Sequence, residues 1–286
     1  MKLTYECLTC MTKQIIKVAT MSTDDIVVQQ KIIKRLFKEL SEITFDESAP
    51  FLGRKINKYI NNELNIYDPY KKIKEECNIL ASELCKELEF EKLIKNSQSS
   101  IDTACRLAIA GNIIDFSAHD SISDEQIKSI IKNCLSETIY GSPAKSLLDF
   151  ANKSKKILYL GDNSGEIVFD KLLINVLPKE KITYVVKKEP IVNDATMKDA
   201  IDVGMTDLVR VIDNGSDAQG TIFNLCSKEF INEFEQADLI ISKGQANYET
   251  LCDIKDKKIF FLFKAKCAPV ANYAKCNVGS LVMLEN

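Results

Sequence analysis

Three short polar segments carry the residue types that could do chemistry. They are Gly161-Asp162-Asn163-Ser164-Gly165-Glu166, Lys187-Lys188-Glu189-Pro190-Ile191-Val192-Asn193-Asp194-Ala195-Thr196 and Ser242-Lys243-Gly244-Gln245-Ala246-Asn247-Tyr248-Glu249. Each follows a short apolar run that reads as a buried strand. In a parallel sheet all three segments emerge on one edge, where open α/β folds bind ligands. Asp162, Asn163 and Asp194 would then converge as hard oxygen donors suited to a cation such as Mg²⁺ or Mn²⁺. Gly161 and Gly165 let the backbone turn sharply and approach a ligand. The helix N-termini that follow favour an anion such as phosphate, for which Lys243 offers a point charge.

Each piece also has an ordinary reading. Asp-Asn after a strand is a common helix cap, and Asn193-Asp194-Ala195-Thr196 can be a capping turn. Three such clusters at corresponding strand ends are harder to dismiss. A lysine at a helix start, as Lys243 is, opposes the helix dipole unless an anion visits. Lys264-Ala265-Lys266-Cys267 follows another apolar run, so Lys264 and Lys266 could add cations at the same edge or form a solvated basic turn. Asn112 and Asp115 lie three apart on one helical face, lining a cleft or tying helices together.

Other chemistries are constrained by what is scarce. His119 is the single histidine, which excludes multi-histidine metal sites and weakens a Ser-His or Cys-His triad. Cys7-x2-Cys10 suggests half a zinc site or a redox pair, but no second CxxC completes it. The ten cysteines are spread through 286 residues, too sparse for a secreted disulfide scaffold, and read mainly as reduced thiols. A net charge of −3 gives no reason to expect a nucleic-acid partner. No apolar run approaches the ~20 residues that span a bilayer, and the N-terminal residues lack a signal-peptide core. A cytoplasmic location without a membrane partner is therefore expected.

The elements that must position these residues divide near residue 148. Residues 11 to about 145 read as helical, with Asp24-Asp25 and Asp68-Pro69-Tyr70 as helix starts and another start at Ser123. The Leu107–Ile114 segment is small and apolar, allowing close helix packing or a bend. From 149 onward, short apolar runs alternate with helical patterns, with strands expected at 156–160, 182–186, 208–212, 238–242, 258–263 and 280–284. The expected architecture is an all-helical domain (1–148) preceding a Rossmann-like α/β/α sandwich with a mostly parallel sheet (149–286).

Taken together, Gly161–Asp170, Pro190–Thr196 and Ser242–Glu249 resemble the damage-control phosphatases, also catalogued as domain of unknown function 89 and carrying an ARMT1-like metal-binding domain. The likeness extends over the chain. Cys7-Leu8-Thr9-Cys10 with Gln14, Asp68-Pro69-Tyr70, Ala110–Asp115 and Lys264–Cys267 are similar to the compact, stand-alone prokaryotic branch. The resemblance implies metal-dependent hydrolysis of small, sometimes damaged, phosphometabolites. It implies a divalent cation (Mg, Mn, Co or Ni) on Asp162, Asn163 and Asp194, and it matches Lys243 to the family's strand-end lysine. Glu166, Asn193 and Asn247 carry over as site-lining residues.

The leading expectation is thus a metal-dependent phosphatase for a small phosphorylated metabolite. Asp162 and Lys243 act in catalysis, while Ser164, Gly165, Glu166, Asn193, Gly244, Asn247, Lys264 and Lys266 contact substrate or its phosphate. The nucleophile is water or an aspartate. One rival is a nucleotide- or S-adenosylmethionine-dependent transferase, although Lys187-Lys188 stands where an acidic ribose ligand would be wanted. A second is a non-catalytic metal-binding protein with a zinc element at Cys7 and Cys10. Oligomeric state is left open.

Overall fold

The computed structural model describes residues 1–113 and 124–286; Asp115, His119 and the helix start at Ser123 lie outside the described residues. The first helices, α1 (Tyr5–Ser22), α2 (Ile26–Ser41) and α3 (Ala49–Leu64), enclose a core of their own. Ile15, Val18, Ile32, Leu36, Ile56 and Ile60 supply it at helical spacing. Asp25 caps α2 by accepting from the Val27 and Val28 amides, and Ser48 caps α3. Cys7 and Cys10 sit within α1 rather than before a helix.

Asp68 accepts from the Tyr70 amide at 3.0 Å and turns the chain into α4 (Lys71–Glu87). There follow α5 (Phe90–Asn96), α6 (Ser100–Ile113) and α7 (Asp124–Ser136). The remainder alternates strand and helix: β1 (Ile139–Gly141), α8 (Ala144–Lys153), β2 (Ile157–Leu160), α9 (Glu166–Ile174), β3 (Ile182–Val186), α10 (Met197–Asp202), β4 (Arg210–Asp213), α11 (Lys228–Gln236), β5 (Leu239–Lys243), α12 (Gln245–Leu251), β6 (Ile259–Lys264), α13 (Ala268–Ala274) and β7 (Leu281–Glu285). Six strands match the expected runs within two residues. The seventh, β1, is three residues long, too short to show a period, and lies in the stretch expected to be helical.

The sheet order is β1-β7-β6-β5-β2-β3-β4, parallel throughout except for the β6/β7 pair. β2 is flanked by β3 and β5, so the chain builds outward on one side of β2 and then crosses to the other. The carboxyl end of β2 is therefore a topological switch point, where a crevice forms. One face of the sheet packs on α4–α9 and the other on α11–α13.

The boundary expected at 148 falls inside α8. A single core runs past it, joining Ala104, Leu107 and Ala108 of α6 to Ile167 and Phe169 of α9 and to Tyr159 and Ile241 of the sheet. α6 can lie this close to α9 because Gly111 has no side chain: a Cβ there would stand 2.9 Å from Phe169 Cβ. Among the described residues no helix is long and apolar enough to cross a membrane. Gly111→Ala should destabilise the fold by about 1–3 kcal/mol through overpacking, read as a lowered urea midpoint at unchanged slope.

Candidate active site

The loops after β2 and β3 are joined through their main chains. The Ala195 amide donates to Asp162 O at 2.8 Å and the Ser164 amide to Asn193 O at 2.9 Å, forming an antiparallel bridge between Asn163 and Asp194. Backbone pairing thus brings Asp162, Asn163 and Asp194 together at the switch point. Val192, just before this bridge, has φ of 47°, a region a β-branched residue rarely adopts. Its side chain packs on the α1–α3 core, which holds the strained turn in place.

Two carboxamides then organise the acids. Asn112 Nδ2, from α6, donates to Asp162 Oδ2 and to Glu166 Oε2, both at 2.9 Å. Asn163 Nδ2 donates to the same two oxygens at 2.9 and 3.1 Å. This commits the Asn163 NH₂ group, and among the described residues no donor reaches its Oδ1. Gly244 closes the other side of Asp162: with φ of 78°, a Cβ at that position would overlap the Asp162 carboxylate.

Asp194 is fully buried, yet among the described residues no donor forms a hydrogen bond with either carboxylate oxygen. The Lys187 ammonium stands 3.7 Å away, and the Gln219 carboxamide is near enough to help hold the Asp194 carboxyl down without reaching hydrogen-bond geometry. Burial pushes the Asp194 carboxyl up to about 6 despite Lys187. Burial, together with repulsion from Glu166 and Asp194, pushes Asp162 well above the usual carboxylate range.

Lys243 occupies a different place from the one expected. It does not face solvent at the helix start: its side chain is 0% exposed. Its ammonium donates to Ala108 O at 3.0 Å, Glu166 Oε1 at 2.6 Å and Asp170 Oδ1 at 2.5 Å, which uses all three of its protons. Burial pulls its pKa down, but Asp170 and Glu166 more than reverse that, holding it above the ordinary lysine range. The anions that answer the unfavourable helix start are therefore the protein's own. Asp170 also accepts from Tyr159 and Tyr184 at 2.7 and 2.8 Å, making it the anchor of this buried cluster.

Several other expected contacts are likewise committed inward. The Ser164 hydroxyl donates to Asp199 at 3.0 Å and the Gly165 amide to Asn78 at 2.7 Å. Asn247 is buried between Gly161 O, Lys243 O and the Thr221 hydroxyl. Asn193 is half-buried and Lys266 is exposed, with a charge that acts on Asp162. Lys264 is half-buried, its amide 3.5 Å from Asn112 Oδ1. Cys7 is half-buried and Cys10 exposed, and all ten cysteines are free thiols.

Sequence reasoning missed the roles of Lys187, Asn78, Asp199 and Lys74. Lys74 pairs with Asp68 at 2.8 Å and lies 3.7 Å from Asp199, which also accepts from Asn78 at 2.9 Å. That network ties α4 to the Ser164-Gly165 turn. A lysine or asparagine within a polar helix face gave no signal of burial.

These residues fit a divalent cation. Asp162, Glu166, Asp170, Asp194 and Asp199 are buried against three buried ammonium groups, Lys74, Lys187 and Lys243. The formal imbalance of two charges equals the charge of one such ion, and the orphaned Asp194 oxygens are the natural acceptors for it. Among the described residues no three His, Cys, Asp or Glu side chains gather as a metal cluster by themselves, so a cation held here would need the Asn163 carboxamide as well.

At Asp194 and Asp162 the folded, metal-free protein holds protons more firmly than the unfolded chain, so the stability these groups contribute falls as pH rises, for Asp194 through about 4 to 6. Between pH 5 and pH 7 the metal-free protein should lose on the order of 1–2 kcal/mol, and saturating Mn²⁺ should remove that loss, as measured by chemical denaturation. Lys243→Met, which strands two buried carboxylates, should cost about 3–5 kcal/mol in the same assay.

Comparison with known proteins agrees with this architecture. A family profile described as the damage-control phosphatase ARMT1-like domain matches residues 3–282. The chain is 36% identical over 298 residues to an uncharacterized protein of Methanocaldococcus jannaschii, covering 99% of this chain and 95% of that protein. It is 34% identical over 294 residues to a damage-control phosphatase of Pyrococcus horikoshii, covering 100% and 99%. The crystal structure of a DUF89-family protein from P. horikoshii superposes with a TM-score of 0.91 at 33% identity, covering 100% of this chain and 99% of that one. With the profile spanning nearly its whole length, the chain belongs to the ARMT1-like damage-control phosphatase family.

Proposed function

We propose that this chain is a divalent-metal-dependent phosphatase that hydrolyses phosphate monoesters of small metabolites, sugar phosphates and damaged phosphometabolites among them. The observation that carries this reading is Asp194: a buried carboxylate without hydrogen-bond donors, clamped by main-chain pairing beside Asp162 and Asn163. Relatives named damage-control phosphatases support the reaction class. Asp162, Asn163 and Asp194 would hold the cation, which when bound supplies Lewis acidity toward a phosphoryl oxygen and water.

The remaining residues act on those three. Glu166 and Asp162 take the Asn163 NH₂ group and so aim its Oδ1 away from themselves. Asn112 fixes both carboxylates from the helical side. Lys243 orients Glu166 through their ion pair and is a positioning residue in this reading. Charge on the departing phosphate falls to the exposed Lys266, with Lys264 beside it. The transferase reading loses ground at the end of β3, where Lys187 is buried and Glu189 accepts from Tyr67.

Phosphate release from a panel of sugar phosphates and a chromogenic ester, with Mg²⁺, Mn²⁺, Co²⁺ or Ni²⁺, tests the proposal. Asp162→Ala should lower the rate at least about a hundredfold. Equal release by both proteins would sink the site, and no release by wild type with any metal would sink the reaction class. Gly244→Ala, which pushes on the Asp162 carboxylate and strains a backbone held at φ of 78°, should also lose about a hundredfold in kcat/KM.

A further inference from the structure

Lys187 sits at the carboxyl end of β3, 3% exposed, and its position is unusual for a buried cation beside a buried acid. It does not form a hydrogen bond with Asp194. Its ammonium donates instead to Gly220 O and stands 3.7 Å from Asp194 Oδ2. Both ends of that tether are fixed. The Lys187 amide donates to Ala195 O at 2.9 Å, and Lys187 bridges to Thr196. Gly220 has φ of 66° and lies so tightly against α12 that a Cβ there would overlap Ala246 O. The carbonyl that holds the ammonium therefore cannot follow it toward Asp194.

We propose that Lys187 is a tethered counter-charge, which supports Asp194 in the metal-free protein without occupying its oxygens and thereby weakens the hold on the cation. A lysine in direct contact would fill the acceptor positions that the cation needs. A site without any lysine would leave buried carboxylates with no compensation until the ion arrived. The standoff at 3.7 Å avoids both. The reciprocal effect is repulsion: a fixed positive charge this close lowers the affinity for any second cation at Asp194. The inference rests on the proposal that Asp162, Asn163 and Asp194 hold a divalent ion.

Mn²⁺ binding to full-length protein, followed by calorimetry and by the loss of free-ion paramagnetic resonance, tests it with Lys187→Met and Lys187→Arg. Lys187→Met should bind Mn²⁺ at least about tenfold more tightly than wild type. It should melt earlier than wild type without metal and show a larger Mn²⁺-induced rise in Tm. Lys187→Arg, which keeps the charge, should behave as wild type in both. Lys187→Met folding only when Mn²⁺ is present supports the proposal; failing to fold with or without Mn²⁺ overturns it in favour of a packing role. Unchanged or weaker Mn²⁺ binding by a folded Lys187→Met overturns it, as does an arginine variant that behaves like the methionine one. Wild type that binds no Mn²⁺ overturns the metal site itself, a result distinct from wild type binding normally while Lys187→Met gains nothing.

Discussion

Burying charge is expensive, and this protein buries it at the most central point of its sheet. Lys243, Glu166 and Asp170 lie at 0% exposure, and their mutual pairing is what makes the rest of the site possible. Lys243 comes from β5, Glu166 and Asp170 from α9, and the carbonyl that completes the ammonium shell from α6. One side chain therefore cross-links a strand, the helix that starts at the polar turn, and the helical layer above. The two tyrosines on Asp170 extend the cluster into β2 and β3. Without that knot Glu166 would have no reason to stay inside, and Asn163 would lose an acceptor that sets its orientation.

Satisfaction is full at Asp170 and Glu166 and falls off beyond them. Asp170 has three partners and Glu166 is shared among an ammonium and two carboxamides. Asp162 is held by carboxamides alone, and Asp194 only by the Lys187 charge at 3.7 Å and a neighbouring Gln219 carboxamide that falls short of hydrogen-bond geometry. This gradient points from the protein interior to the place where, on the proposed function, a ligand would complete the shell. It also separates residues that hold the frame from those that meet the ligand, a distinction that residue type alone does not make.

The sheet was legible because its buried strands are continuous apolar runs, and the Asp162-Asn163 turn stood out because two glycines bracket it. β1 was not legible: three residues carry no period, and only its pairing with β7 defines it. Lys243 was visible as an oddity, a cation at a helix start. The expectation of an incoming anion overlooked the possibility that carboxylates one turn apart in sequence, Glu166 and Asp170, could be that anion. Lys187 was hidden for the opposite reason. In a Lys-Lys pair at a strand end, alternation puts one side chain into the crevice and the other into solvent, and composition does not say which. The links from α4 to the Ser164-Gly165 turn join residues far apart in sequence, so no local pattern could announce them.

The bridge between Asn163 and Asp194 has a mechanical consequence. Because amide-to-carbonyl bonds on both sides of that bridge lock the two turns together, they form one body rather than two loops that approach each other. The spacing between the donors is then a property of the main chain, insensitive to side-chain replacement around the rim. On the proposed metal site, ions of different radius would have to be accommodated by rotating three side chains within a fixed jaw, so discrimination by size would be built into the backbone.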